Sequence, residues 1–255
     1  MEIRVLGCSG GIGGDGRRTT SFLLGDEVLI DAGSGVADLT LEELVAIRHI
    51  FITHAHMDHI HMLPLLIDSV FDQLQQPVVV HGLPHTLKAL RDHIFNWVVW
   101  PDFTSLPSEE LPVMVLEEMA PGDRVTVGDN HFSMIPVNHI IPTVAYVVEY
   151  PGGAFAFSGD TTTNDTLWEG LNALPRLDHL IVEAAFSSGE LALCEMSKHY
   201  CPQLLADDLR KLEHDPQIYL THAKPGEEDM IYDECRNLMP DRKLHHLTGG
   251  ERLAL

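Results

Sequence analysis

Short apolar runs, broken by glycine, proline and charged residues, recur along the whole chain and predict its secondary structure. Ile3-Arg4-Val5-Leu6, Ser21-Phe22-Leu23-Leu24 and Val28-Leu29-Ile30-Asp31 read as strands, because each is too short for a stable helix and is bounded by turn residues. Leu41 to Ile47 has the spacing of a short helix, and His49-Ile50-Phe51-Ile52 reads as a buried strand. A helix over Met62 to Val70, a strand at Pro77-Val78-Val79-Val80 and a helix over Leu87 to Phe95 follow. The second half repeats this order. Strands are predicted at Val125 to Val127, His131 to Val137, Val144 to Glu149 and Phe155 to Ser158, then a helix near Leu167 to Ala173. The strand Leu180-Ile181-Val182, a helix over Leu204 to Leu212, the strand Ile218-Tyr219-Leu220 and a helix near Glu228 to Leu238 complete the series. Two β-rich halves with interspersed helices predict an α/β fold in which two sheets pack face to face with helices outside. No linker, low-complexity tract or charge block interrupts the pattern, so residues 1–255 are expected to form a single domain.

Composition narrows the function classes. Hydrophobic residues make up 45% of the 255, enough for a sizeable core. The formal net charge of −22 sets up a field that repels long polyanions, so extended nucleic acid is not the expected partner. Bound cations would reverse that field locally, which leaves room for a small anionic substrate. The four cysteines lack CxxC pairing and read as reduced thiols rather than disulfides or a structural zinc knot. No basic leader and no membrane-length apolar run stand out, and a cytoplasmic, membrane-free protein is the expectation.

The sixteen histidines exceed what a core uses, and the densest group is Thr53-His54-Ala55-His56-Met57-Asp58-His59. In an extended segment His54 and His56 share one face. Asp58 and His59 follow where the chain can turn into a helix and aim at a neighbouring point. Imidazole suits zinc and related metals, carboxylate suits harder cations, and the density of donors serves two adjacent ions better than one.

Further donors stand just past apolar strands: His139 after Met134 to Val137, Asp160 in Ser158-Gly159-Asp160-Thr161, and His222 in Leu220-Thr221-His222-Ala223. Taken singly, each reads more readily as a solvated or hydrogen-bonded strand-end residue. As a set with the first cluster, their order and spacing resemble the ligand set of the metallo-β-lactamase superfamily across almost the whole chain. The chain is more similar to the phosphodiesterase branch, comprising ribonuclease Z and the class II cyclic-nucleotide phosphodiesterases. That narrower likeness rests on Leu6-Gly7-Cys8-Ser9-Gly10-Gly11, on aspartate at position 160, and on His199 in Ser197-Lys198-His199.

The resemblance implies a four-layer αββα sandwich of two mixed β-sheets and a site holding two divalent metal ions, with zinc expected and manganese or iron as alternatives. His54, His56 and His139 would hold one ion and Asp58, His59 and His222 the other, with Asp160 bridging. Such a pair clamps the attacking and leaving oxygens of an in-line displacement and generates hydroxide near neutral pH. Asp58 would orient that nucleophile. His199 would protonate the leaving alkoxide or bind phosphate, or else serve as a cap or core histidine. Glu183 would hydrogen-bond a catalytic histidine, or be an ordinary strand-end carboxylate, and Asp31 would support the histidine loop.

Two glycine patterns are decoys. Residues 11–16 satisfy GxGxxG and residues 7–11 satisfy GxSxG, but each leads into another strand rather than a helix N-terminus. A tight turn at the rim of the site explains both. Ribonuclease Z carries a basic RNA-gripping arm; here His139 and Asp160 are only 21 residues apart and no such insert appears. The expected activity is therefore hydrolysis of a small phosphodiester, preferably a 3′,5′-cyclic nucleotide. The alternatives are another hydrolase of the same scaffold, either ribonuclease Z-like RNA processing or ester hydrolysis, and a non-catalytic metal-binding or nucleotide-sensing protein. Phe95 to Phe103, with two of three tryptophans, and Pro142 to Tyr146 could wall the substrate pocket, or the former could pack on the core or a partner copy. Lys198, Lys224 and Arg17 could contact phosphate or simply be solvated. A homodimer is expected by analogy.

Overall fold

The computed structural model describes residues 2–13 and 16–254. Gly14 and Asp15, inside the GxGxxG pattern, lie outside the described residues. The chain divides into two compact units. The first comprises residues 2–7, Arg18–Ala120 and Gly249–Ala254, and the second Cys8–Arg17 and Pro121–Thr248.

In the first unit a seven-stranded sheet runs in the order Arg252–Ala254, Glu2–Gly7, Ser21–Leu24, Val28–Ile30, His49–Phe51, Val78–Gly82 and Met114–Glu118. Its first three pairings are antiparallel and its last three parallel. The change of sense follows from the connections, since parallel neighbours need a crossover. Helix Leu41–Ala46 makes the first, helices Met57–Ile60 and Leu63–Val70 the second, and Pro84–His93 the third. Thr40 starts the first of these helices with a capping box: its hydroxyl accepts from Glu43 N, and its own N–H donates to Glu43 Oε2 at 2.7 Å. The helices pack Leu63, Leu66, Ile67, Val70, Leu87 and Leu90 against Ile50, Ile52, Val78, Val80 and Met114 of the sheet segments.

The second unit has the same mixture. Its sheet runs Lys243–His246, Gln217–Thr221, His179–Glu183, Gly153–Phe157, Thr143–Tyr150, Asn130–Val137 and Val125–Val127, with three parallel pairings followed by three antiparallel ones. Leu167, Trp168 and Leu171 of helix Thr166–Asn172, Leu205 and Leu209 of Pro202–Leu209, and Ile231 and Cys235 of Glu228–Leu238 cover Ala156, Leu180, Val182, Ile218 and Leu220.

The predicted elements are present, with boundaries shifted by chemistry the apolar pattern does not carry. Proline at the first helical turn starts two helices early, at Pro84 and Pro202, because a missing N–H costs nothing there. Strands Met114–Glu118, Lys243–His246 and Arg252–Ala254 and helix Leu191–Ser197 were not predicted. The three strands are half-exposed and lie at sheet margins or ends, where partners rather than periodicity define them. Within Pro142 to Tyr146, Val144, Ala145 and Tyr146 are buried in strand Thr143–Tyr150, whereas Pro142 is exposed. All four cysteines are free thiols. Among the described residues no helix is long and apolar enough to cross a membrane.

Candidate metal centre

In the first unit, strand His49–Phe51 lies between two parallel neighbours, so its C-terminal end delivers Thr53 to His59 as a group. Asp31 ends the adjacent strand in left-handed backbone, with φ of 58°, a conformation aspartate tolerates. Its buried carboxylate accepts from Thr53 N at 2.8 Å, from Thr53 Oγ1 at 2.8 Å and from His59 Nδ1 at 2.7 Å. Burial raises the Asp31 pKa against the pull of His59 and the Thr53 bonds. The hydroxyl of Thr53, having donated to Asp31, accepts from His54 Nδ1 at 3.0 Å. One carboxylate thereby sets two imidazole tautomers, leaving the lone pair on Nε2 in both His54 and His59.

Those two nitrogens sit where ligands would. His54 Nε2 is 3.0 Å from His56 Nδ1, and His59 Nε2 is 3.7 Å from Asp58 Oδ2. Two nitrogens bound tetrahedrally at about 2.0–2.1 Å from one zinc stand about 3.3 Å apart. The donor set and its spacing fit divalent metal. His54 and His59 are buried, whereas His56 and Asp58 are half-buried.

In the second unit the donors again follow strand ends: His139 after Asn130–Val137, Asp160 after Gly153–Phe157, Glu183 on His179–Glu183 and His222 after Gln217–Thr221. His139 donates from Nδ1 to the Lys198 carbonyl at 2.9 Å, which puts its lone pair on Nε2. His222 Nε2 lies 3.3 Å from Asp160 Oδ2. Asp160 offers oxygen within 4.8 Å of donor atoms on both His139 and His222, so it is the donor shared between the two. All three are buried.

His222 has φ of 66°, and its N–H donates to the Cys8 carbonyl at 2.7 Å. A Cβ on Gly10 would stand 2.3 Å from the His222 carbonyl oxygen, so the glycine turn is the backing of that ligand's backbone. This accounts for the GxSxG decoy as a close backbone approach.

His199 donates from Nδ1 to Glu183 Oε1 at 2.7 Å, and the same carboxylate accepts from Thr161 N at 2.8 Å and Tyr200 N at 3.3 Å. Glu183 thus touches a histidine as expected, and also fixes the backbone next to Asp160. The His199 ring stacks on His222 at 5.3 Å and meets His139 edge-on at 4.9 Å. Burial raises the Glu183 pKa. For His199, burial acts to lower the pKa, but the Glu183 and Asp160 carboxylates raise it overall.

The other expectations divide. Phe95 and Phe103 are core, with ring centroids 5.9 Å apart, and Trp100 packs partly beside them. Trp97, at φ of 64°, is 62% exposed. Lys224 donates to the Gly10 carbonyl at 2.8 Å and lies 5.6 Å from the Phe186 ring centre, Lys198 reaches the His139 carbonyl at 3.3 Å, and Arg17 pairs with Glu228. Sequence reasoning missed Thr53, Thr161 and the Lys198 carbonyl. The last acts through a main-chain atom in left-handed backbone, φ 53°, for which a lysine gives no signal.

A family profile described as the Beta-lactamase superfamily domain matches residues 26–223. The chain belongs to the metallo-β-lactamase superfamily. A relative named probable 3′,5′-cyclic-nucleotide phosphodiesterase, from Yersinia pestis, is 27% identical over 89% of this chain and 79% of its own length. A ribonuclease Z of Methanopyrus kandleri is 28% identical over 59% of this chain and 51% of its own length. The crystal structure of unliganded yeast PDE1 superposes with a TM-score of 0.82 at 20% identity, covering 100% of this chain and 99% of the other. The α/β fold expected from the sequence is thus the metallo-β-lactamase fold, in its phosphodiesterase and ribonuclease Z-like branch.

Proposed function

We propose that this protein is a dinuclear metal-dependent phosphodiesterase acting on a 3′,5′-cyclic nucleotide. The observation that carries the proposal is the Glu183–His199 pair set against the Asp160, His139 and His222 donors, which joins a proton-handling imidazole to metal-holding residues. In this proposal His54, His56 and His139 would hold one ion and Asp58, His59 and His222 the other, with Asp160 as the donor available to both. Bound ions of this kind supply Lewis-acid stabilisation of charge on phosphoryl oxygens and lower the pKa of water to about 7.

The chain's own residues do the rest. Asp31 and Thr53 hold His54 and His59 in the tautomer that binds metal, and the Lys198 carbonyl does so for His139. Asp58 orients the attacking water. Glu183 anchors Nδ1 of His199, so Nε2 is the atom that delivers a proton to the departing alkoxide. The 21-residue interval between His139 and Asp160 is occupied by strands Thr143–Tyr150 and Gly153–Phe157, which supports a small substrate over structured RNA. The likeness to the Yersinia pestis relative over most of both chains supports the choice of a cyclic nucleotide. The finer parts of the proposal are zinc as the metal, a cytoplasmic homodimer, and residues 1–255 working as one hydrolase domain.

Purified protein supplied with zinc or manganese is expected to hydrolyse bis(p-nitrophenyl) phosphate and a 3′,5′-cyclic mononucleotide. A chelator and His56→Ala should each stop turnover. Preference for short RNA or a cyclic dinucleotide in the same screen would move the substrate, and inertness with metal bound would make the protein a sensor.

A further inference from the structure

Asp208, on helix Pro202–Leu209, is 3% exposed, although a core position needs no charge. Its Oδ2 accepts from Tyr200 Oη at 2.7 Å, Trp168 Nε1 at 3.1 Å and the Asn164 N–H at 3.0 Å, while Oδ1 pairs with Lys211 at 2.8 Å. Two of these partners lead to the candidate site by separate routes.

The first route runs through Tyr200, which is fully buried and adjoins His199. The Tyr200 N–H donates to Glu183 Oε2 at 3.3 Å, and its carbonyl accepts from Ala185 N at 3.0 Å. Holding the phenol therefore holds the segment Lys198–Tyr200, which carries the His199 imidazole and the carbonyl that fixes His139. The second route runs through Asn164, whose Nδ2 donates to Thr161 Oγ1 at 3.1 Å and to the Thr162 carbonyl at 2.8 Å. Thr161 Oγ1 in turn accepts from Asn138 N at 3.2 Å, beside His139, and Thr161 follows Asp160.

We propose that Asp208 is a positioning residue that acts through Tyr200 and Asn164 to fix the two segments presenting His199 and Asp160. The proposal rests on the phosphodiesterase reading, in which His199 supplies the leaving-group proton. A satisfied buried carboxylate held by four donors, from Tyr200, Trp168, Asn164 and Lys211, has the rigidity this task needs, because moving any one of them breaks a bond in a water-poor setting. An apolar residue would fill the space without fixing direction.

The test uses the full-length, zinc-supplemented protein and has two readouts. In long-range 1H–15N spectra of the histidine rings, the wild type should show the Nδ1–H of His139 and of His199 each in a single hydrogen-bonded state. Asp208→Asn should broaden or average both, because its amide sets an N–H against Lys211 and weakens the anchor. In turnover, Asp208→Asn should lower kcat for 3′,5′-cyclic AMP about tenfold with KM unchanged. Bis(p-nitrophenyl) phosphate, whose leaving group needs no proton, should change by less than about threefold. Tyr200→Phe should reproduce the pattern and carries the test if Asp208→Asn does not fold. Leu171→Ala, a core truncation outside the network, should lower stability without altering the ratio of the two rates. Unchanged histidine signals, or an unchanged rate ratio in an active enzyme, overturns the proposal. A wild type inert on both substrates overturns the phosphodiesterase reading instead, and the spectra alone then decide the role of Asp208.

Discussion

The imidazole of His59 donates from Nδ1 to Asp31 Oδ2 at 2.7 Å, with both side chains fully buried. Twenty-eight residues separate them in the chain, yet this bond and the Thr53 bonds to the same carboxylate orient the whole histidine motif. Asp31→Ala is expected to weaken metal binding about 10–100-fold. It should also destabilise the fold by roughly 1–3 kcal/mol, since the Thr53 and His59 donors would be buried without an acceptor. Metal titration and urea unfolding check the two effects, and wild-type affinity in the variant would remove Asp31 from the site.

Asp160→Ala should reduce metal content and activity while leaving the fold largely intact, because a carboxylate shared between His139 and His222 serves the site more than the core. Elemental analysis and a thermal melt of the same preparation measure this. Full metal content in that variant would take Asp160 out of the bridging position.

His199→Ala is expected to keep its metal, since no ligand is removed. It should slow hydrolysis of substrates with poor leaving groups by about 10²–10⁴-fold. Nitrophenyl esters should be affected far less. Equal losses on both substrate types would assign His199 to phosphate binding or to structure.

A fourth expectation concerns acid stability and lies away from the metal residues. His81 is 1% exposed, stacks on Phe51 with ring centroids 4.4 Å apart, and faces His49 at 3.0 Å and Glu117 at 3.7 Å. Burial and the neighbouring His49 push its pKa down to about 4. Unfolded, the ring titrates near its ordinary value of about 6.5. Because the folded value is the lower one, the stability this neutral ring contributes is complete above that pH and is lost as the pH falls towards 4. The loss is on the order of 3 kcal/mol. His81→Gln should therefore show a shallower fall in unfolding free energy between pH 8 and pH 4.5, read by urea titration. An identical slope in the two proteins would contradict the assignment.

The sequence by itself determined the candidate donors and the elements that carry them. His54, His56, Asp58 and His59 stand together in the chain, and His139, Asp160 and His222 each follow an apolar run that reads as a strand, so local periodicity placed these candidates at element ends while only their order and spacing, by family resemblance, grouped them as one set. Only the tertiary structure decided which atoms of those residues are available. That Thr53 and Asp31 fix the tautomers of His54 and His59, that a strained Lys198 carbonyl fixes His139, and that Asp208 stands behind Tyr200 and Asn164 are relations between segments far apart in the chain. The pairing of Arg252–Ala254 with the first strand is of the same kind. Hydrophobic spacing records which face of an element is buried, but a hydrogen bond is set by distance and direction between particular atoms, and those exist only after the chain has folded.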